Sequence, residues 1–308
     1  MYVIDYFGMT DYAYKRFTSE KQSSLIIGTS RAAQGIQPRV INKYFSKNEF
    51  DLPIYNFSFS VLDSPFGEVY FNAIKKKVLQ TNKNSLFIIA VDPWSLSLIN
   101  ERSDNDWHFS EYKRCLNLIY FINVKPNFEY LFRYFRPSIE PTWWSIFTRS
   151  RTGHLNDDGW YEVNLKMEPT MAKKNIEAKM EFYYKYRTVK SKDRINALVM
   201  TIGYLKNFGS IYLCRIPVCK EMFLLEDKMW KDFDEDMSKI ANEYSIPYFS
   251  FRNDYKRFRT TDGNHLYKDD GAIFTGDLCN LIQKDLVESL DNTKWGNDEK
   301  GYQKNNQK

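Results

Sequence analysis

Cysteine and histidine are both scarce in this 308-residue chain. The four cysteines, Cys115, Cys214, Cys219 and Cys279, are too few and too scattered for a disulfide framework. Cys214 and Cys219 lack the two-residue gap of a redox or zinc pair and have no histidine near them, so all four read as small apolar side chains. There are three histidines in all. No stretch reaches the roughly 18–20 apolar residues of a membrane span. No dense run of Lys and Arg reads as a nucleic-acid arm. The first residues, from Met1 to Phe17, carry early acids and no apolar h-region, and so do not read as a signal peptide.

What is present suits a folded enzyme-sized domain. Hydrophobic residues make up 43% and aromatics 17%, which excludes disordered, collagen-like and low-complexity classes. With 44 basic against 39 acidic residues, the net charge of +5 is small for so large a surface. The length is long for one compact domain and short for two. The expectation is therefore a single domain over 1–291, with an insertion at about 94–193 and a polar, disordered tail over 292–308.

Apolar runs and helical periodicities alternate. Strands are predicted at Ser24–Gly28, Pro53–Asn56, Ser85–Val91, Ser210–Cys214 and Ile246–Phe249. Helices are predicted around Pro38–Phe45, from an N-cap at Ser64 with Pro65 following, at Ile195–Leu205, at about Glu226–Tyr244, and over Phe274–Ile282. Between Trp94 and Asp193 the pattern breaks up into a stretch dense in Tyr, Phe, Trp and Arg. Alternating strands and amphipathic helices argue a parallel sheet covered on both faces. In such sheets ligands bind beyond the carboxyl ends of the strands.

Two strand-end motifs carry chemistry. Ser30, in Gly28-Thr-Ser30, sits where a strand turns into a helix, so its hydroxyl can stand at the sheet edge beside free helix N–H groups. Alone, this motif reads first as a serine N-cap. In Asp262-Gly-Asn-His265, three residues separate an acid from a histidine, so the carboxylate can hold Nδ1–H and leave Nε2 to take a proton. A solvent-exposed turn explains that motif equally well.

Together the two blocks resemble the SGNH (GDSL-like) hydrolase superfamily. The first is Leu25-Ile-Ile-Gly-Thr-Ser-Arg-Ala-Ala-Gln-Gly-Ile-Gln-Pro38, similar to the version found in bacterial cell-surface and polysaccharide-modifying branches. The last is Asp262-Gly-Asn-His-Leu266 followed by Gly271-Ala272. The resemblance covers roughly residues 20–92 and 195–290; the insertion has no counterpart in it. It implies a three-layer α/β/α, flavodoxin-like fold and a Ser30–His265–Asp262 triad. It also implies acyl-ester hydrolysis or acyl transfer with no metal or cofactor, on a small-molecule or carbohydrate ester.

The chain departs from the family at two places. Counting from Asn56, the position of the usual oxyanion glycine holds Val61, whose backbone N–H still serves. The usual Asn of the third block is replaced by Asp92, and an ionised carboxylate cannot donate to an oxyanion. Losing one such donor costs on the order of 100- to 1,000-fold in turnover. Asn56, Ser58 or Ser60 takes its place, Asp92 points elsewhere, or the enzyme is slow or dead. Arg31 either binds an anionic substrate group or pairs with an acid such as Asp92.

The insertion offers weaker signals. His154 with Asp157, Asp158 and Trp160 fits a carbohydrate-facing lid or, more simply, a turn-rich surface loop around a buried Trp. The run from Leu116 to Val124, with Phe132, Arg133 and Arg136, fits a membrane-surface helix or a helix packed over the active-site edge. The leading function is an SGNH-type esterase or O-acyltransferase; the rival is a non-catalytic SGNH-like binding or scaffold protein of a surface-polysaccharide system. As the sequence stands, the expected location is cytoplasmic, or the bacterial envelope if an upstream anchor is missing.

Overall fold

The structure is a computed structural model; it describes residues 14–99, 113–133, 153–166, 168–186 and 188–304, with the backbone alone from 290 onward. The elements run α1 Tyr14–Thr18, β1 Ser24–Ile27, α2 Ser30–Gly35, α3 Pro38–Tyr44, β2 Ile54–Asn56, α4 Glu68–Lys77 and β3 Ser85–Ala90. The insertion follows with β4 Ser97–Ile99, α5 Cys115–Leu118, α6 Phe128–Arg133, β5 Gly153–Leu155, β6 Tyr161–Val163, α7 Pro169–Tyr184 and β7 Thr188–Lys190. The chain closes with α8 Lys192–Leu205, β8 Gly209–Arg215, α9 Lys220–Met229, α10 Phe233–Glu243, β9 Tyr248–Ser250 and α11 Lys268–Lys304.

Five strands form one parallel sheet in the order β2-β1-β3-β8-β9, the flavodoxin-like arrangement. Its central strands are mostly apolar because side chains alternate between two covered faces. Leu25, Ile27, Phe87, Ile89, Ile211 and Leu213 point to the face packed by α1, α4, α8 and α10. Ile26, Leu86, Ile88, Tyr212 and Cys214 point to the face packed by α2, α3 and α11. The result is a three-layer α/β/α sandwich, as the pattern predicts.

Several boundaries differ from the sequence expectation. Helix α4 starts at Glu68 rather than at Ser64, because the Ser64 hydroxyl is drawn to the Gly28 carbonyl at 2.8 Å and accepts the Phe59 N–H at 3.1 Å. The expected helix over 226–244 is two helices, broken where the Trp230 ring N–H reaches Asp236 at 2.8 Å. Strand β9 is shifted to Tyr248–Ser250, and the Pro247 carbonyl accepts from Leu213 N. Helix α11 continues to Lys304 through residues expected to be disordered. Within the insertion, α5 and α6 pack with α1 and α4 on one face of the sheet, and not over its carboxyl edge. The helix that covers that edge is α7. Arg136 lies outside the described residues. Among the described residues, no helix is long and apolar enough to cross a membrane.

Candidate active site

Strand order reverses at β1, which has β2 on one side and β3 on the other, so its carboxyl end opens onto a crevice. Gly28 ends that strand for a steric reason: a Cβ there would lie 2.9 Å from the Ala32 Cβ and 3.1 Å from the Ala90 carbonyl oxygen. The turn therefore hugs the sheet and places Ser30 as the first residue of α2, whose leading N–H groups lack intrahelical partners.

His265 belongs to the loop before α11, which in sequence follows the far edge strand β9. Helix α11 brings it back across the sheet by packing on α2 and α3. Thr275 Oγ1 donates to the Gly271 carbonyl at 2.7 Å and accepts the Gln37 N–H at 3.1 Å, tying α11 to the chain just after α2. The loop is a rigid turn. Gly263 takes φ +84°, Thr261 N donates to the His265 carbonyl at 2.8 Å, and Asp262 Oδ1 accepts the backbone N–H of Asn264 and His265 at 3.0 and 2.9 Å.

The three predicted residues form one hydrogen-bonded line. His265 Nδ1 lies 2.9 Å from Asp262 Oδ2, and Nε2 lies 2.9 Å from Ser30 Oγ. A carboxylate only accepts, so Nδ1 carries the proton and Nε2 accepts from the serine. Burial pushes the Asp262 carboxyl up, but the His265 ring, Lys179 and the Asn264 N–H outweigh it and hold it well below the usual carboxylate range. Lys179 Nζ, from α7, stands 3.2 Å from Asp262 Oδ2. Asn175 of the same helix donates to the Thr261 carbonyl at 3.3 Å. Ile176, Met180 and Tyr183 pack α7 onto Trp94, Val218, Cys219, Met222 and Val61.

The remaining predicted residues divide. The Asn56 side chain spends both N–H groups on the Ala32 and Ile36 carbonyls, at 2.8 and 3.0 Å, so it braces α2 and offers nothing to a substrate. Ser58 is fully buried, its hydroxyl on the Ile26 carbonyl and its N–H on Asn56 Oδ1. Ser60 donates to Asp63 at 2.5 Å. None of the three replaces the missing donor. Among the described residues, the Val61 N–H donates to no backbone carbonyl, which leaves it open.

Asp92 does not aim at Ser30. Its Oδ1 accepts the Ser95 N–H at 2.9 Å and its Oδ2 accepts from Thr29 Oγ1 at 3.2 Å. Burial raises its pKa against the opposing pull of Arg31. A carboxyl whose folded pKa is raised weakens the fold as pH climbs past its unfolded value. Asp92→Asn keeps both contacts, with Thr29 turned to accept, and should shift the urea midpoint at pH 7 upward.

Arg31 pairs with an acid, but that acid is Glu226. Nη2 reaches Glu226 Oε1 at 2.5 Å, both side chains being buried, and Arg215 holds the other carboxylate oxygen at 2.9 Å. Arg31 also grips the Asn264 side-chain oxygen twice, through Nε at 2.9 Å and Nη2 at 2.7 Å. Glu226, Asn264, Lys179 and Tyr183 were not singled out by sequence. Of these, only α7 had a readable signal, the 4-then-3 spacing of Ile176, Met180 and Tyr183. In the insertion, Trp160 is buried with its ring N–H on the Gln34 carbonyl at 2.8 Å, and Asp157 makes an exposed ion pair with Lys15. His154 lies in the β5–β6 hairpin, in register opposite Glu162.

Compared with models of protein families, with curated proteins and with solved structures, the chain matches none.

Proposed function

We propose that this chain is a serine-dependent acyl-ester hydrolase or O-acyltransferase of SGNH type, acting on an acylated carbohydrate or another small ester. The observation that carries this reading is the unbroken line Asp262–His265–Ser30, with both links at 2.9 Å. Ser30 Oγ attacks the ester carbonyl while His265 Nε2 takes its proton. Asp262 stays ionised and steadies the imidazolium. The N–H groups of Ser30 and Val61 are the donors this reading assigns to the charge that develops on the carbonyl oxygen. His265 then returns the proton to the departing alcohol, and water or a second hydroxyl completes the cycle. The carbohydrate preference rests on the sequence resemblance and on the aromatic insertion.

The rival reading, a binding or scaffold module of a surface-polysaccharide system, draws on Asp92 and Asn56, neither of which offers a donor to substrate. Intact mass after treatment with a fluorophosphonate separates the two, because the probe marks only a serine activated by its neighbours. We expect one adduct on the wild type and none on Ser30→Ala. A well-folded wild type that stays unlabelled would transfer the case to the binding module.

A further inference from the structure

With Asp92 occupied as an acceptor and the Asn56 amide engaged elsewhere, neither of these positions gives the nucleophile a side-chain amide. An amide nitrogen nevertheless stands at the site. Asn264 Nδ2 lies 3.3 Å from His265 Nε2, the atom that also meets Ser30 Oγ.

Its orientation is dictated by chemistry. Arg31 brings two donors, Nε and Nη2, to the same Asn264 atom, and two donors require an oxygen there. The nitrogen must therefore be the atom turned toward His265. Arg31 is itself held by Glu226, which is buried and also tied to Arg215. Asn264 is only 3% exposed, so the amide is fixed in place.

Among the described residues, the one partner that nitrogen meets is His265 Nε2. His265 Nε2 has a single lone pair, and the Ser30 hydroxyl, closer at 2.9 Å, takes it. When His265 is protonated, its Nε2–H and the Asn264 N–H become two adjacent donors that repel unless an oxygen enters between them.

We propose that Asn264 is a catalytic residue that donates its side-chain N–H to the alcohol oxygen leaving or entering at the acyl carbon; this rests on the acyl-transfer reading above. In the first half-reaction the Ser30 Oγ–carbon bond forms, the Ser30 proton passes to Nε2, and the carbonyl π pair moves to its oxygen. The oxyanion pair then re-forms the carbonyl π bond as the bond from carbon to the alcohol oxygen breaks, leaving the acyl group on Ser30. The electron pair of the broken bond stays on the alcohol oxygen, which collects the Nε2 proton. Negative charge grows there during cleavage, and the Asn264 N–H meets it. The second half-reaction runs the same events backward with water or a sugar hydroxyl. Such help matters most for poor leaving groups, so the substrate class is esters of aliphatic or sugar alcohols rather than aryl esters.

The test compares kcat/KM for ethyl acetate and for p-nitrophenyl acetate in wild type, Asn264→Ala and Asn264→Ser. Both values report the acylation step, and their ratio is independent of the fraction folded. Asn264→Ser preserves a hydroxyl acceptor for Arg31 while removing the amide. In both variants the aryl-to-alkyl ratio should rise about 100-fold, the scale of one lost transition-state donor. A ratio within about twofold of wild type, with all activities falling together, would show a merely structural residue and overturn the proposal. Fluorophosphonate labelling of the wild type is run alongside. Absence of the Ser30 adduct would overturn the underlying acyl-transfer reading, whereas an adduct with an unmoved ratio would overturn only the role of Asn264.

Discussion

Ser30→Ala, His265→Ala and the double variant should each lower kcat/KM on an acyl ester by about the same factor, on the order of 10⁵. The equality follows from geometry. A serine hydroxyl without Nε2 at 2.9 Å is an ordinary alcohol, and a base without the hydroxyl has no proton to take. Removing the second partner then subtracts nothing more. Asp262→Asn should cost about 10⁴-fold, because an amide N–H facing Nδ1 would force the proton onto Nε2 and abolish the base. Since the His265 ring and Lys179 hold Asp262 below the usual carboxylate range, no limb of the pH–rate profile near neutrality belongs to it. Rates for the four variants against p-nitrophenyl acetate check all of this. Losses that multiply in the double variant would mean that the two side chains do not act as one unit.

Glu226→Gln should destabilise the fold by about 3–5 kcal/mol, the scale of a broken buried ion pair. The carboxylate is fully buried and carries two guanidiniums, Arg31 at 2.5 Å and Arg215 at 2.9 Å. An amide neutralises neither, and it turns an N–H toward one of them. Arg215 retains a second acid in Asp234, but among the described residues Arg31 has Asn264 as its other partner and no second ion pair. The same group makes the wild type acid-sensitive. Burial pushes the Glu226 carboxyl up, yet Arg31 and Arg215 outweigh that and leave its pKa lowered. A lowered folded pKa means stability that is present above the unfolded value near 4.5 and is lost as pH falls below it. Urea melts at pH 7 should show a lower midpoint at unchanged slope in the variant. Across the acid range the variant should also lose less stability than the wild type. An unchanged midpoint at pH 7 would mean that the pair contributes nothing net.

The parts of this molecule that could be read from sequence are those fixed by neighbours in the chain. The β1 run, its terminal Gly28 and the following Ser30 lie within seven residues, and the Asp262–His265 turn lies within four. Their meeting depends only on the sheet edge where parallel strands end. Asn264 was legible as a letter of the turn but not as a donor, because its orientation is set by Arg31, 233 positions away. Asn56 misled for the same reason. Its side chain goes to carbonyls of α2 that no spacing rule reveals. The Ser64-Pro65 signal for a helix start was locally sound, and it lost to a hydrogen bond with Gly28 across the crevice.

Helix α7 has one more consequence, for anyone wishing to shorten this protein. Its Lys179 is a counter-charge for Asp262, its Asn175 ties down Thr261, and its apolar face roofs Trp94 and Met222. Cutting the chain from β3 directly to α8 would keep all five strands of the main sheet and all three members of the Ser–His–Asp line. It would also bare an apolar floor to water and leave the acid end of that line without its lysine. The excursion between β3 and α8 is thus inseparable from the Ser30–His265–Asp262 line, and a pared-down scaffold would need a substitute cover for that edge.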